Sequence, residues 1–576
     1  MSMTKEHAAK FSDKPAIVCC RTVKGTTIGP AELEDPAIFN DLEESGLITI
    51  TADTLTVGEV LGAVLKKDID ALTSLTADLL DGVKVKAVAP AVASPAAVSN
   101  VASAVPAGGM FYFKADKADG IEISFPIGGG MVGSLPPVAG SAAEPISDEV
   151  VGTLVRQSFT VKEVKLGSKT EFSDGVLTIR KEAATDALKA HPLIKKVEVD
   201  VITPDKRHVH TETIMDVSPV ACKVEGEIGY GITNTLDGVV FMLTGVDEDG
   251  TQIHEFGSSN GFLDETVFYG RPGCPDEGDI IVRVHCVLER LTGMERRGPM
   301  AAHAVCDHVI QEIRTVLKPY PAAKAAKTES FNVTKRHGRP RVLLVKEIMG
   351  QGAMHDNIIL PMEPAGVLGG RPNVDLGNVP VVLNVNEVRD GAIHALCCIG
   401  PASKEMTRHY FRDPIVNLMA DDEELNLVGV VFIGSPQVND EKTFVSKRLG
   451  AMADAMNIDG AIVMTEGFGN NHVDFASHIE ELGKRGIKTV GATFAAYQGQ
   501  LVVGNDYMDA MVEMNKDAGG IESERLGENT MILTDAQRAV AMLKNKLAGV
   551  AIEGSDKKWS QALIDANQKA VDAAQR

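Results

Sequence analysis

The chain has 576 residues, of which 44% are hydrophobic and 24% charged, with a formal net charge of −22. This is the composition of an ordinary globular protein of about three or four domains. The acidity argues against nucleic acid, whose phosphates need a basic face, and against anionic membrane surfaces.

Residues 1–83 read as a small N-terminal domain. Met1-Ser-Met-Thr-Lys-Glu-His-Ala lacks the basic start and apolar core of a secretory signal. No apolar run reaches about 18 residues, so the chain reads as cytoplasmic and without a membrane span. Ala16-Ile-Val-Cys-Cys-Arg21 predicts a short buried strand, and Thr56-Val-Gly-Glu-Val-Leu-Gly-Ala-Val-Leu65 predicts a helix by its apolar spacing. Residues 84–151 read as an Ala/Pro/Gly-rich linker followed by a short β segment. The triple glycine Gly128-Gly-Gly130 has no Lys or Ser/Thr at phosphate-loop spacing and reads as turn chemistry.

Residues 152–337 predict an α+β domain. Phe159-Thr-Val-Lys-Glu-Val164, Val176-Leu-Thr-Ile-Arg180 and Lys195-Lys-Val-Glu-Val-Asp-Val-Ile202 alternate like half-exposed strands, and residues 300–317 carry a helical period. Residues 318–338, with Pro319 and Pro321, read as a connection. Beyond 340 come the apolar runs Arg341-Val-Leu-Leu-Val345, Val379-Pro-Val-Val-Leu383, Leu427-Val-Gly-Val-Val-Phe-Ile-Gly434, Gly460-Ala-Ile-Val-Met-Thr465 and Thr489-Val-Gly-Ala-Thr493. Helical segments at 442–456 and 474–485 separate some of them, which predicts parallel sheet with helices on both faces. The last sixty residues look helical. The fold class is therefore multidomain α/β: C-terminal parallel α/β units at 338–397 and 398–576, a preceding α+β domain and a small N-terminal domain.

Chemistry concentrates around Asp390-Gly-Ala-Ile-His-Ala-Leu-Cys-Cys-Ile-Gly-Pro-Ala-Ser-Lys404 and the Glu-Met-Thr-Arg-His-Tyr-Phe-Arg412 that follows. Most adjacent cysteines are small hydrophobes facing opposite ways in a strand, and an adjacent disulfide would be strained. The chemical alternative is attack by a cysteine on the carbonyl before it, then elimination and hydrolysis to a new C-terminus and a pyruvoyl group. His394 and Lys404 flank Cys397-Cys398 and could move protons. Arg408 and Arg412 could hold a carboxylate in bidentate geometry or make ordinary ion pairs. Glu466, Asn470, Asn471 and His472 cluster at a predicted strand end, where α/β sheets bind ligands, though a turn and helix cap would use the same asparagines. Cys286, Cys306, His285, His303 and His308 match no zinc spacing, so no metal is expected. Cys19-Cys20 reads as core, and the eight cysteines form no disulfide framework.

Ile17-Val-Cys-Cys-Arg-Thr22, Leu33-Glu-Asp-Pro-Ala-Ile-Phe39 and Thr56-Val-Gly-Glu-Val-Leu-Gly62 resemble the pyruvoyl-forming proproteins of the D-proline reductases, as do Ile399-Gly-Pro-Ala-Ser-Lys404 and Thr407-Arg-His-Tyr-Phe-Arg412. From about 152 onward the chain is also similar to component B of glycine, sarcosine and betaine reductases, notably at Asp459-Gly-Ala-Ile-Val463 and Glu466-Gly-Phe-Gly-Asn470. The resemblance implies self-cleavage between Cys397 and Cys398, with Cys398 converted to a covalent pyruvoyl group and Cys397 as reserve. The family pattern has Thr or Asn where Cys397 stands. It implies reductive opening of D-proline to 5-aminovalerate, with Arg408 or Arg412 on the substrate carboxylate. It also implies a hetero-oligomer with a selenocysteine-containing small subunit and an electron-donating dithiol or redox protein. An unprocessed scaffold subunit and a plain thiol redox protein are the readings from other classes.

Overall fold

A computed structural model describes residues 5–19, 22–34, 36, 39, 48, 50–69, 72–83, 110–114, 122–126, 148–251, 259–293, 297–348, 357–359, 363–364, 374–375, 378–395, 405–436, 438–465, 470–493, 503–517, 520 and 525–552. The chain divides into two compact units, Met1–Val83 with Ser147–Arg576, and Lys84–Ile146. Among its described residues the second unit is an antiparallel hairpin, Met110–Lys114 against Glu122–Pro126. Gly128-Gly-Gly130 lies outside the described residues.

Near the N-terminus, Ala16, Ile17 and Val18 are buried, but Ile17 and Val18 make isolated bridges to Ser74 and Leu33 rather than a regular strand. Cys20 and Arg21 lie outside the described residues. The helix expected over 56–65 is one turn, Val57–Val60. Leu61 turns extended, Gly62 takes φ +88°, and Val64–Leu65 pairs with Leu80–Asp81. The apolar spacing there marks burial in a loop-rich core, because glycine's freedom at positive φ stops the helix.

The first large sheet is built from β1 (Glu149–Thr160), β2 (Ile194–Ile202), β3 (Ile214–Glu225), β4 (Gly231–Asp247), β5 (Ile280–Leu288) and β6 (Lys327–Lys335). Its order is β6-β1-β4-β5-β2, with β3 antiparallel to β4 along their length. Strand β4 runs parallel to β1 up to Asp237 and parallel to β5 from Val239. The change of neighbour falls at Gly238, φ +83°, where a Cβ would stand 2.7 Å from the Val161 carbonyl oxygen. Helices α1 (Ala183–Ala190) and α2 (Arg297–Leu317) cover one face, burying Ala187, Val305, Val309 and Ile313 against Phe159, Phe241 and Val284. The segment 318–338, expected as a connection, contains β6. Its polar residues alternate on a sheet edge, so they carry no apolar run to announce a strand.

The second sheet contains β7 (Arg341–Ile348), β8 (Val381–Leu383), β10 (Asn426–Gly434), β11 (Gly460–Thr465), β12 (Lys488–Thr493) and β13 (Met511–Glu513). Its order is β8-β10-β7-β11-β12-β13, parallel except for the edge strand β8. A short strand, β9 (Ile393–Ala395), pairs instead with Asn357–Ile359. Helices α3 (Val385–Arg389), α5 (Pro414–Asp421) and α8 (Leu533–Leu547) pack on the face of Val342, Leu344 and Phe432. Helices α6 (Asn439–Ala455) and α7 (Asn470–Gly483) pack on the face of Leu343, Val345 and Ile433. Burial on both faces is why these strands read as unbroken apolar runs. Segments 338–397 and 398–576 share this sheet. Between β9 and α5 lies the short helix α4 (Thr407–Phe411). No helix among the described residues is long and apolar enough to cross a membrane.

Candidate active site

Strand β7 runs apolar until Lys346 and Glu347, each 1% exposed. Isolated charges so deep in a core cost several kcal/mol, so they must be paired. Lys346 Nζ donates to both carboxylate oxygens of Glu405 at 2.8 and 2.7 Å and sits 2.6 Å from Asp413 Oδ2. His409 Nε2 lies 3.2 Å from Glu405 and 3.5 Å from Asp413, so two cationic and two acidic side chains form a closed quartet. Glu405 lies just before the short helix Thr407–Phe411, His409 within it, and Asp413 caps the next helix, so intervals of four bring all three to Lys346. Burial opposes charge on Lys346 and His409, but the two carboxylates outweigh it, raising the lysine and holding His409 at about 9.

A cleft lined by Lys346, Glu347, Glu405, Met464, Thr465 and Met514 opens at the carboxyl ends of β7 and β11. The chain leaves β7 toward β10 on one side and leaves β11 toward β12 on the other, so this is the topological switch point of the sheet. On its far side Thr465 Oγ1 donates to Glu347 at 3.3 Å. Burial and then the Asp474 carboxylate push the Glu347 carboxyl well above its usual range. Lys442 binds Asp474, and Ser446 shares a 2.9 Å hydrogen bond with His478, which burial pushes down to about 3.

The cysteine segment is followed by Glu405, which lines this cleft. Cys397, Cys398 and Lys404 themselves lie outside the described residues, as does Glu466, but both flanks are fixed. The Ala395 N–H donates to Thr407 Oγ1 at 3.0 Å, so the chain departs and returns at one place. Thr407 in turn donates through Oγ1 and N–H to Asp216 at 2.7 and 3.0 Å. Asp216 sits beside a register shift in β3, the kind of irregularity that re-aims a side chain. It also accepts from Ser218 Oγ at 2.9 Å. His394 is buried in β9, its Nε2 2.9 Å from His303 Nδ1 of α2, and that nitrogen is 3.8 Å from Asp216 Oδ2.

A model of the family "glycine/sarcosine/betaine reductase component B subunits" matches residues 153–251 and 300–551. The chain belongs to this family. Over 98% of its length it is 47% identical to the D-proline reductase proprotein PrdA of Acetoanaerobium sticklandii, 94% of which is covered. It is 24% identical to the glycine reductase complex component B subunits alpha and beta of that organism, over 57% of this chain and 76% of that one. With the betaine reductase complex component B subunit alpha of Peptoclostridium acidaminophilum the identity is 27%, over 58% and 77%. No solved structure matches the chain.

Two residues expected to bind the substrate carboxylate have protein partners in this fold. Arg408 donates to Asp279 and Asp276 at 2.6 and 2.9 Å. Arg412 donates to Asp276 at 2.8 Å and to the carbonyls of Pro272, Arg271 and Cys274 at 2.6, 2.9 and 3.0 Å. Both guanidinium groups are spent tying α4 to the loop 271–279, so a substrate carboxylate would have to displace carboxylates already in place. Asn470 opens α7, its side chain outside the description, while Asn471 and His472 are buried in that first turn. Of the five residues weighed for metal, only His303 joins a group of potential ligands among the described residues. Sequence reasoning passed over Lys346, Glu347, Asp216, Glu405, His409 and Asp413. An ionisable pair ending an apolar strand, and acid–His–acid at intervals of four, were the available signals.

Proposed function

We propose that this chain is the self-processing proprotein of a D-proline reductase, which opens D-proline reductively to 5-aminovalerate with a pyruvoyl group made from Cys398. The observation that carries the reading is 47% identity reaching over 98% of the chain, including N-terminal residues that the component B family model, starting at 153, does not cover. Component B of a glycine-type reductase is the second reading, favoured by the shared region alone. Assay with D-proline, sarcosine and betaine separates them: turnover of D-proline only is expected, and turnover of sarcosine or betaine instead would replace the first reading by the second.

In the processing chemistry, Cys398 Sγ adds to the Cys397 carbonyl carbon. The amide C–N bond breaks as the C–S bond forms, and the thiol proton ends on the freed amine. Removal of the α-proton and breakage of the Cβ–S bond leave a thiocarboxylate on one fragment and a dehydroalanine on the other. Water then displaces hydrogen sulfide from the first and ammonia from the second, with no net oxidation or reduction. Residues on both flanks fit such a group, since Asp216 and Thr407 hold the ends of the segment and Glu405 brings it to a buried cleft. A pyruvoyl carbonyl supplies an electrophile for the substrate's secondary amine. The net reaction puts two electrons and two protons into D-proline. These come from a dithiol or redox protein through a selenocysteine-bearing small subunit, since this chain has no selenocysteine. The chain's own residues contribute placement and a site of low dielectric.

Intact mass under denaturing conditions, with and without a hydrazine, tests the proposal. Cleavage before Cys398 gives pieces of roughly 42 and 19 kDa in proportion to residue number, and only the smaller takes up hydrazine. A single chain that no hydrazine modifies, isolated from cells that ferment proline, would leave the cysteines as plain thiols and overturn it.

A further inference from the structure

A buried carboxylate calls for a cation, and Asp216 has no lysine or arginine against it among the described residues. Its Oδ1 accepts from the N–H groups of Val217 and Thr407 at 2.9 and 3.0 Å. Its Oδ2 accepts from the hydroxyls of Ser218 and Thr407 at 2.9 and 2.7 Å. These donors hold the carboxylate beside two imidazoles. His303 Nδ1 stands 3.8 Å from Asp216 Oδ2, and His394 Nε2 stands 2.9 Å from His303 Nδ1. The three ligand atoms, one each from β3, α2 and β9, lie within 4.8 Å of one another, and no side chain of the three is more than 2% exposed. Ligands around a tetrahedral ion, with bonds of about 2.0–2.1 Å, stand about 3.3 Å apart. The separations of 2.9 and 3.8 Å bracket that value, so small rotations of the side chains admit an ion. Cys306 and Asp307 of α2 line the same pocket, but Asp307 is paired with Arg314 and burial pushes the Cys306 thiol well above its usual range. The described residues hold two other groups of potential ligands, and neither competes. Glu405, His409 and Asp413 already surround the Lys346 ammonium, while His208, Asp264 and Glu265 are exposed and solvated.

We propose that Asp216, His303 and His394 bind a divalent transition-metal ion, zinc being the one that two imidazoles and a carboxylate suit best. Asp216 Oδ2, His303 Nδ1 and His394 Nε2 are the ligand atoms. The ion replaces the hydrogen bond between the two rings, and both then bind as neutral imidazoles with their protons on His303 Nε2 and His394 Nδ1. The Ser218 and Thr407 hydroxyls on the Asp216 carboxylate are the outer donors that orient a ligand of this kind. A fourth position is left for a water or a small anion, as in zinc sites with three protein ligands. The site stands apart from the pyruvoyl reading, because all three ligands precede Cys397 and stay on one fragment whether or not the chain is cut. Spacing rules pass over it because the ligands come from three distant points of the chain.

The test is elemental analysis of full-length chain, produced with zinc in the medium and desalted without a chelator. One zinc per chain is expected in wild type and in the control His208→Gln, and its loss in His303→Gln and His394→Gln. Iron or manganese at the same stoichiometry, lost in the same two variants, would support the site equally. Chain produced with cobalt in place of zinc should show visible d–d bands that those variants lack. A chelator present during unfolding should lower the thermal midpoint of wild type and leave that of His303→Gln unmoved, which separates a bound ion from a packing defect. Metal kept by both histidine variants, or lost from His208→Gln, would overturn the proposal. Should the variants fail to fold, wild type decides alone: X-ray absorption at the zinc edge should show imidazole and oxygen ligands, and sulfur ligation excludes this set. Wild type free of metal, both as isolated and after refolding with excess zinc, would also overturn it and leave Asp216 and His303 as a buried pair.

Discussion

At the scale of single residues, the quartet of Lys346, Glu405, His409 and Asp413 has the most definite consequences. Each member is buried and each needs the others, so Lys346→Met leaves two carboxylates facing one histidine. The expected loss is about 3–5 kcal/mol, read as a lower urea midpoint with unchanged slope. The pH dependence has two sides. His409 is held at about 9, above its ordinary 6.5, so its contribution is complete below 6.5 and disappears as pH rises through about 9. Burial raises Glu405 and Asp413, but Lys346 and His409 outweigh it and lower both. Their contribution is therefore present above the usual carboxylate range and is lost in acid. Urea unfolding from pH 6 to 10 should show the alkaline decline in wild type and a flatter profile in His409→Asn; identical profiles would disprove the assignment. For Arg408→Lys and Arg412→Lys, lower thermal stability with an unchanged KM for D-proline is expected, because the bonds lost are those to the loop 271–279. A KM raised at full stability would restore the carboxylate clamp.

Among the elements, β4 depends on one position. Its two halves pair with different neighbours, and the residue between them has φ +83° with a carbonyl oxygen against the place of a Cβ. Gly238→Ala should cost about 1–3 kcal/mol from backbone conformation alone, and the contact with Val161 adds to this. Denaturant unfolding of the two proteins checks it, and a neutral result would mean that the strand can bend elsewhere. The same scale shows what periodicity conveys. Strands β7, β10, β11 and β12 were legible because sheet burial on both faces removes all polar alternation. Strand β6 was not, since an edge strand keeps its polar residues, and the turn at Gly62 cut short a helix whose apolar spacing looked sufficient.

For the whole molecule, the topology predicts what the proposed cleavage before Cys398 would leave. The middle strand β7 precedes the cysteine pair, while both its neighbours, β10 and β11, follow it. Ion pairs cross the cut as well: Lys346 to Glu405 and Asp413, Arg389 to Asp421, and Arg408 to Asp276. The two fragments therefore complete one another's sheet. They should co-elute on native size exclusion and separate only in denaturant; separation in native buffer would contradict this sheet order.

The sequence by itself determined the α/β character of the C-terminal half, the cysteine pair and the family, because apolar runs and short motifs are local in the chain. Only the tertiary structure decided what surrounds the pair. Lys346 and Glu405 are 59 residues apart, and Asp216 and Thr407 are 191 apart. No local pattern says that such residues meet. It also gave Arg408 and Arg412 their carboxylate partners, since a guanidinium's neighbours depend on which carboxylates the fold brings to it.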